Sequence, residues 1–217
     1  MTHRRADTDG PEATAARRHR MVDGLRGAGL TDPLVLAAMD TVPRERFAPP
    51  ELAAVAYEDR PLPLGDDATI SAPSMVAWMT EALGLTGTER VLEVGTGSGY
   101  AAAVLASCAA TVVTVEWSAA LVCAARRSLA AAGFGAVEVR HGDGAAGAPD
   151  RAPFDAVSVT AMAPAPPAAL FDQMTPGGVL VAPVGPGHEG VLVRHRHGQR
   201  EELGPVRFVA LRRAPPD

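Results

Sequence analysis

The sequence predicts an α/β fold with a doubly wound, mostly parallel sheet of seven strands, an antiparallel hairpin at the C-terminal end and additional helices at the N-terminal end. Two observations lead to this prediction. Short valine-rich runs alternate with helical stretches between residues 90 and 183, which is typical of a parallel sheet. The last two apolar runs have no helical stretch between them, which favours an antiparallel pair at the sheet edge.

The first part of the chain is predicted to be helical. Met21, Val22 and Leu25 form an apolar stripe with helical spacing. Asp32 followed by Pro33 is a typical N-cap and first-turn pair. The chain is therefore expected to divide into a disordered tail over 1–12, an N-terminal helical region over 13–88 and a sheet domain over 89–217, with helices over 13–27, 33–41 and 74–83 and a loop over 57–67.

The strands of the sheet domain are predicted from β-branched apolar runs that are bounded by glycine, proline or charged residues. Helices are expected directly after a glycine-rich turn, over 119–132, and after Pro167. The predicted strands cover 90–93, 111–115, a run near Val137 and Val139, 154–160, 179–183, 191–196 and 206–211.

The most informative segment is R-V-L-E-V-G-T-G-S-G-Y at 90–100, in which an apolar run is followed by Gly95, Gly97 and Gly99. Glycine at a strand-to-helix turn lets the backbone approach a ligand closely. The third glycine comes one residue earlier than in the G-x-G-x-x-G of dinucleotide folds, whose turn receives a pyrophosphate. Glu93 would repel a phosphate and suits a cationic ligand. This combination indicates S-adenosyl-L-methionine as the cofactor and disfavours an NAD-dependent oxidoreductase.

Acidic residues stand at the ends of three successive predicted strands. Glu93 belongs to the first, and Glu116 ends the second, about 20 residues after the glycine turn, where a ribose-binding acid is expected. Asp143, within H-G-D-G, follows the third and could accept a hydrogen bond from an adenine amino group. Because the carboxyl ends of parallel strands meet at one edge of a sheet, we expect all three carboxylates to face one ligand.

Composition and charge argue against several partner classes. The 217 residues include 20 basic and 25 acidic ones, for a net charge of −5, which argues against a nucleic-acid partner held by charge. No apolar run reaches membrane-spanning length, and the N-terminus has no signal-peptide pattern. Cys108 and Cys123 lack the spacing of a disulfide framework, which indicates buried, reduced thiols. We therefore expect a cytoplasmic monomer without a membrane partner.

Histidines cluster near the last two predicted strands, where His195 and His197 would share one face of a strand and His188 lies close by. A metal site would need further ligands at a defined spacing, so we interpret the cluster as an exposed edge-strand surface and predict no metal. The A-P-A-P-P segment at 163–167 follows a strand at the ligand-bearing edge of the sheet. It either shapes a substrate mouth or is a stiff loop.

Several sequence blocks, in order, carry a family resemblance over nearly the whole chain, from about Leu30 to Leu211. The chain resembles the protein-L-isoaspartate (D-aspartate) O-methyltransferases, which are class I methyltransferases. The glycine turn is generic to methyltransferases, whereas V-P-R-E and T-I-S-A-P are more specific. The blocks are V-P-R-E-R-F at 42–47, Y-E-D-R-P-L-P-L-G at 57–65, T-I-S-A-P at 69–73, the glycine turn, H-G-D-G at 141–144, P-F-D-A-V-S-V-T-A at 153–161, G-G-V-L-V-A-P-V-G at 177–185 and V-R-F-V-A-L at 206–211.

The resemblance implies a Rossmann-like methyltransferase sheet and an N-terminal region that lines the substrate. It also implies methyl transfer from S-adenosyl-L-methionine to the α-carboxylate of L-isoaspartyl, and possibly D-aspartyl, residues in damaged proteins or peptides, which starts repair through a succinimide. Ser71 would be the catalytic hydroxyl that contacts the substrate. The implied cofactor-binding residues are Thr69, Ile70, Ser71, Glu93, Gly95, Thr96, Gly97, Gly99, Glu116, Trp117, Asp143 and Gly144.

The implied chemistry needs no general base, because a carboxyl group with a pKa of about 4 is already ionised at neutral pH. The site must instead align a carboxylate oxygen with the methyl carbon and exclude water. A serine hydroxyl can orient the carboxylate by one hydrogen bond without neutralising it, which suits Ser71. An alternative is that Ser71 caps the helix that begins near Pro73, and the two roles can coexist.

Two other functions stay open from the sequence. One is a dedicated enzyme that methylates an aspartate of one peptide product and so drives imide formation. The other is a cofactor-binding module without transferase activity, although Ser71 and the V-P-R-E block argue against it. The chain also departs from the family pattern at Glu189, Gly190 and Ala210, which affects the expected peptide groove and leaves the cofactor site untouched.

Overall fold

The computed structural model describes residues 10–65 and 67–212. Most of the predicted disordered tail lies outside these residues, but Pro11 and Glu12 already belong to the first helix. The helices are α1 Pro11–Gly27, α2 Pro33–Thr41, α3 Pro73–Leu83, α4 Tyr100–Ala106, α5 Ala119–Ala131 and α6 Ala168–Phe171. The strands are β1 Leu62–Gly65, β2 Ala68–Ile70, β3 Arg90–Val94, β4 Thr111–Glu116, β5 Glu138–His141, β6 Phe154–Val159, β7 Met174–Val184, β8 Glu189–Arg196 and β9 Gln199–Arg207.

The main sheet has seven strands in the order β5-β4-β3-β6-β7-β8-β9. The strands from β5 to β7 pair in parallel, whereas β8 and β9 are antiparallel to their neighbours. This confirms the predicted doubly wound sheet with an antiparallel C-terminal hairpin. The strand order changes direction between β3 and β6, and a crevice at the carboxyl ends of such neighbouring strands is where ligands bind in open α/β sheets.

Each face of the sheet buries its own apolar cluster, as the two-residue period of a strand requires. Val91 of β3 points to the face that α1 to α5 cover, while Leu92 and Val94 point to the opposite face, where Leu170 of α6 packs. Met21, Val22 and Leu25 of α1 are buried in the first cluster, which confirms the predicted stripe. The N-terminal helices therefore share one hydrophobic core with the sheet.

The start of α2 confirms the capping signal in the sequence. The Asp32 carboxylate accepts hydrogen bonds from the backbone nitrogens of Leu34 at 2.8 Å and Val35 at 3.3 Å. Glu81 of α3 in turn accepts from the backbone nitrogen of Asp32 at 2.7 Å. This pair of contacts ties α2 to α3, the helix that runs alongside the site.

Two predictions of local structure were wrong. The predicted loop over 57–67 contains β1, which pairs with β2 in a small antiparallel sheet that prolines and Gly65 concealed in the sequence. The last strand is Gln199–Arg207 rather than 206–211. After Arg207 the chain leaves the sheet and crosses its carboxyl edge, where Met162 donates its backbone N–H to Val209 at 2.7 Å.

The cysteine and histidine predictions were wrong in part. Cys108 is buried, but Cys123 is exposed on α5. His195 lies on β8, whereas His197 lies in the turn between β8 and β9 with a positive φ of 51°, so the two do not share one strand face.

Candidate functional site

The glycine turn connects β3 to α4 and forms the floor of the site. Gly95 has a φ of 99°, and a Cβ there would lie 2.4 Å from the Thr160 Oγ1 atom after β6. Gly99 has a φ of 88°, and a Cβ there would lie 3.1 Å from Cγ of Leu129 on α5. Gly95 therefore allows two strand ends to approach each other, and Gly99 allows α4 to pack on α5.

Two adjoining cavities open above this turn at the carboxyl edge of the sheet. The larger, of about 510 Å³, is lined by Glu116, Trp117 and Gly144, among others. The smaller, of about 330 Å³, is lined by Ser71 and Tyr100, among others. Both volumes are in the range of small-molecule sites. The cavities share a boundary formed by Thr69, Gly95, Gly97, Thr160 and Val209.

Glu116 lies at the end of β4 with its carboxylate at the larger cavity. Its Oε2 accepts from the backbone nitrogen of Gly97 at 2.9 Å, and its Oε1 accepts from that of Ser118 at 2.9 Å. The N–H of the glycine turn is thus held by a carboxylate, so the turn is not arranged to cradle a phosphate. Each carboxylate oxygen keeps a further lone pair for a ligand hydroxyl. The neighbouring Trp117 is 37% exposed and offers an aromatic face to the same cavity.

Glu93 occupies a different position from the one the sequence suggested. Its side chain is fully buried and lines neither cavity. Its Oε2 accepts from the Thr114 hydroxyl at 2.6 Å, and the Thr114 and Thr96 hydroxyl oxygens lie 2.6 Å apart. Because Thr114 has one proton to donate, Thr96 donates to Thr114. Glu93 therefore supports the glycine turn from below, through two hydroxyl groups.

The environment of the Glu93 carboxyl disfavours its ionised form. Within the described ranges, its Oε1 is buried without a hydrogen-bond partner. The pKa of Glu93 is raised to about 8, chiefly by burial; the charge of Glu116 adds to this rise, and the Thr114 hydrogen bond opposes it. A cation bound above the turn would favour the ionised form of this group.

Asp143 lies at the rim of the larger cavity rather than in its lining. Its carboxylate accepts from the backbone nitrogen of Ala145 at 2.8 Å and so caps a short 3₁₀ turn. The next residue, Gly144, does line the cavity, and a Cβ there would lie 2.4 Å from Cγ1 of Val94. Of the three acids that the sequence placed at one ligand, Glu116 lines the larger cavity, Asp143 precedes a lining residue, and Glu93 lies in the core.

Thr69, Ile70 and Ser71 lead from β2 into α3 and form one wall of the smaller cavity. Ser71 is half-buried. It does not cap α3, because the N-cap position is Ala72 without a side-chain hydrogen bond. The backbone nitrogen of Ser74 is served instead by the carboxylate of Asp59, at 2.9 Å. The Ser71 hydroxyl is thus not used by the helix terminus.

Sequence reasoning missed several residues of the site. Thr160 donates its hydroxyl to the carbonyls of Val94 at 3.0 Å and Gly95 at 2.7 Å, which holds the β3 and β6 ends together. Residues of the segment 207–212 line both cavities, although the sequence had predicted a strand over 206–211. The V-P-R-E block contained a signal, since Arg44 is fully buried and bonded to the Ser71 carbonyl at 3.0 Å.

The histidines near the C-terminal strands are held by contacts within the protein. His188 is within 3.0 Å of the Phe208 carbonyl and His195 packs edge-on against Phe171 with ring centroids 5.2 Å apart. Across residues 10–65 and 67–212, no group of three or more His, Cys, Asp or Glu side chains is arranged to hold a metal ion. In the same part of the chain, no helix has the length and apolar character needed to cross a membrane.

Comparison with known proteins places the chain in a family. The family model for protein-L-isoaspartate(D-aspartate) O-methyltransferase matches residues 16–214. A protein-L-isoaspartate O-methyltransferase of Methanoculleus marisnigri is 51% identical over 207 residues, which cover 92% of this chain and 94% of that protein. Another from Rhodopseudomonas palustris, numbered 1, is 49% identical over 211 residues, or 94% of this chain and 86% of that protein.

A solved structure supports the same assignment. A protein-L-isoaspartate O-methyltransferase structure superposes with a TM-score of 0.78 at 29% identity, covering 89% of this chain and 65% of that one. The sequence blocks that carried the resemblance thus led to the correct family. This chain belongs to the protein-L-isoaspartate (D-aspartate) O-methyltransferase family.

Proposed function

We propose that this chain transfers a methyl group from S-adenosyl-L-methionine to the α-carboxylate of L-isoaspartyl residues, and also of D-aspartyl residues, in damaged proteins or peptides. The observation that carries the proposal is that the two cavities adjoin and share part of their lining. The Glu116 carboxylate faces one of them, Ser71 faces the other, and Thr69, Gly95 and Gly97 border both. A site of this shape can hold an elongated donor with its reactive centre next to a serine hydroxyl.

The residues of the larger cavity fit a nucleoside. Glu116 has free lone pairs for ribose hydroxyls, the exposed face of Trp117 suits an adenine ring, and Gly144 lines the same cavity without a side chain. A cationic methionine part bound above the turn would favour the ionised form of the Glu93 carboxyl and would be attracted by its charge. S-adenosyl-L-methionine, when bound, supplies a methyl group on sulfonium, and transfer forms an oxygen–carbon bond as the carbon–sulfur bond breaks with its electron pair left on sulfur.

The protein's own contribution is alignment and exclusion of water. The acceptor carboxylate is ionised at neutral pH, so no side chain has to remove a proton. Ser71, whose hydroxyl is not used for capping, donates one hydrogen bond that orients the acceptor oxygen. Apolar side chains of the smaller cavity, including Ile70, Met79 and Phe208, limit the water that would solvate the nucleophile.

The remaining steps of repair need no further residues of this chain. A methyl ester of an isoaspartyl residue has a good leaving group, so the following backbone nitrogen closes a succinimide. Hydrolysis of that ring returns part of the material to the normal aspartyl linkage. We also propose that the chain acts in the cytoplasm as a monomer, without nucleic-acid or membrane partners, in line with its net charge of −5. Light scattering of the purified chain would show one subunit's mass.

The decisive experiment measures methyl transfer to two peptides that differ only in an aspartyl or an isoaspartyl linkage. We expect transfer to the isoaspartyl peptide alone, and we expect Ser71→Ala to lower kcat about 10- to 100-fold with little change in donor affinity. Transfer to the normal aspartyl peptide would favour a dedicated peptide-modifying enzyme. Tight donor binding without transfer to either peptide would favour a binding module. Equal losses of turnover and donor affinity in Ser71→Ala would make that serine structural.

A further inference from the structure

Arg44, of the V-P-R-E block, is fully buried in the short 3₁₀ segment Arg44–Arg46. Its guanidinium donates to three backbone carbonyls from separate parts of the chain. Nε donates to Ala56 at 2.6 Å, Nη1 to Ser71 at 3.0 Å and Nη2 to Arg60 at 3.3 Å. One planar group thus joins the end of the 3₁₀ segment Pro50–Val55, the segment before β1 and the connection between β2 and α3.

Burying this charge is costly, so the group requires an explanation. Removing a guanidinium from water is unfavourable, and an apolar side chain of similar volume would avoid this cost. The partners found in the described part of the chain are carbonyl oxygens rather than a carboxylate. Burial lowers the pKa of Arg44, but an arginine guanidinium stays protonated in proteins. If the position served packing alone, leucine or methionine would fill it without the desolvation cost of a charge.

The contacts of Arg44 converge on the smaller cavity. The guanidinium carbon lies 5.2 Å from the ring centroid of Tyr100, the first residue of α4, which lines that cavity. Phe47 packs edge-on against the same ring with centroids 5.9 Å apart. Arg44 therefore contacts two walls of the cavity, one through the Ser71 backbone and the other through the Tyr100 ring.

The orientation of Ser71 depends on this contact. Ser71 lies between β2 and α3 and has neither a capping bond nor a strand pairing to fix it. Its carbonyl bond to Arg44 fixes the backbone from which the hydroxyl projects. A fork with three donors resists rotation of that backbone better than a single-point contact would, because its nitrogens are coplanar.

We propose that Arg44 is a positioning residue, which acts through the Ser71 backbone to hold the Ser71 hydroxyl against the acceptor oxygen. This inference rests on the proposed function of Ser71. Arg44 does not touch the substrate. Substitution of Arg44 should therefore lower turnover when the Ser71 hydroxyl is present. The same substitution should have little effect when that hydroxyl is absent.

A double-mutant cycle tests the proposal, with Arg44→Lys, Ser71→Ala and both together. Lysine keeps the charge and loses the planar fork. We expect Arg44→Lys to lower kcat for an isoaspartyl peptide about 10- to 100-fold, the cost of a displacement of about 1 Å, while S-adenosylhomocysteine affinity stays within about twofold. In the Ser71→Ala background, Arg44→Lys should lower kcat by less than about twofold further.

Arg46→Lys is the matched control. Arg46 is an exposed arginine of the same segment, and it donates to the carbonyl of Ala131 at 3.1 Å, away from both cavities. It should leave turnover and ligand affinity unchanged. The proposal would be overturned if the losses of kcat in Arg44→Lys and Ser71→Ala multiply in the double variant. It would also be overturned if Arg44→Lys lowers S-adenosylhomocysteine affinity as much as it lowers kcat.

A measurement on the unaltered chain covers the case in which Arg44→Lys does not fold. Proton exchange at Nε of Arg44, followed by NMR, should be slow and should remain so when S-adenosylhomocysteine and peptide are added. Fast exchange would show that the fork is not formed and would overturn the proposal. If the unaltered chain methylates no isoaspartyl peptide, the proposed function fails. If it does and the cycle shows no coupling, the inference about Arg44 alone fails.

Discussion

Replacing Glu93 by glutamine should remove a pH-dependent loss of stability that the unaltered protein shows. The Glu93 carboxyl is fully buried, and its pKa rises from 4.5 to about 8, chiefly through burial. A raised pKa in the folded state means that the native protein retains a proton that the unfolded chain releases. The stabilising contribution is therefore complete below pH 4.5 and is lost as the pH rises through about 8.

The magnitude follows from the two pKa values. Each unit of pKa difference corresponds to about 1.4 kcal/mol, so the interval from 4.5 to about 8 amounts to about 5 kcal/mol of unfolding free energy. Glutamine has nearly the same shape, can accept from the Thr114 hydroxyl as Oε2 does, and carries no charge at any pH. The variant should match the unaltered protein in acid and become progressively more stable than it towards alkaline pH.

Urea denaturation at a series of pH values from about 5 to about 9 measures this difference. Glu51→Gln, at an exposed position in the 3₁₀ segment Pro50–Val55, is the matched control and should show a small, pH-independent change. If the stability difference between Glu93→Gln and the unaltered protein does not vary with pH, or if the variant is less stable throughout, Glu93 does not carry the buried proton that we infer.

Substitutions at three further positions probe the site. Glu116→Ala should weaken S-adenosylhomocysteine binding by about 1–3 kcal/mol in calorimetry, because ribose hydroxyls and the Gly97 N–H lose their acceptor, and unchanged affinity would refute this assignment. Trp117→Ala should weaken the same binding by about 1 kcal/mol, whereas Trp117→Phe should keep most of the affinity. Identical titrations for the two variants would show that the adenine ring does not stack on Trp117. Gly99→Ala should lower stability by about 1–3 kcal/mol in thermal unfolding, since its φ is 88° and the new Cβ meets Leu129 at 3.1 Å. It should leave ligand affinity of the folded protein intact, and an affinity loss without destabilisation would contradict a packing role.

The sheet and its ligand-bearing edge could be predicted because their signals are local. Valine-rich runs, the glycine turn and the Asp32 cap each act within a few residues, and the structure confirms all three. The hairpin of β1 and β2 could not be predicted, because its strands are only four and three residues long and β1 contains Pro63. The segment after Arg207 is apolar and was predicted as part of the last strand, but it pairs with Met162 across the carboxyl edge, and such a contact depends on the whole fold.

The site was predicted less completely than the fold, since a residue's type does not give the direction of its side chain. Glu93 and Glu116 both belong to strands that end at the same edge, but β3 continues to Val94, so Glu93 points into the core below the turn. The burial of Arg44 could not be predicted for the same reason. Most arginines of a chain are exposed, and only the three carbonyls that meet in space distinguish this one.

The proposed function requires one elongated ligand that spans the two cavities, with its reactive centre beside Ser71. A crystal structure of the full chain with S-adenosylhomocysteine and an isoaspartyl peptide would show whether the ligand lies in this way. We expect the adenine ring against Trp117, the ribose hydroxyls on Glu116 and the sulfur near Thr69 and Gly95, facing the Ser71 hydroxyl and the peptide carboxylate. A nucleoside bound in the smaller cavity, or a sulfur remote from Ser71, would contradict the account.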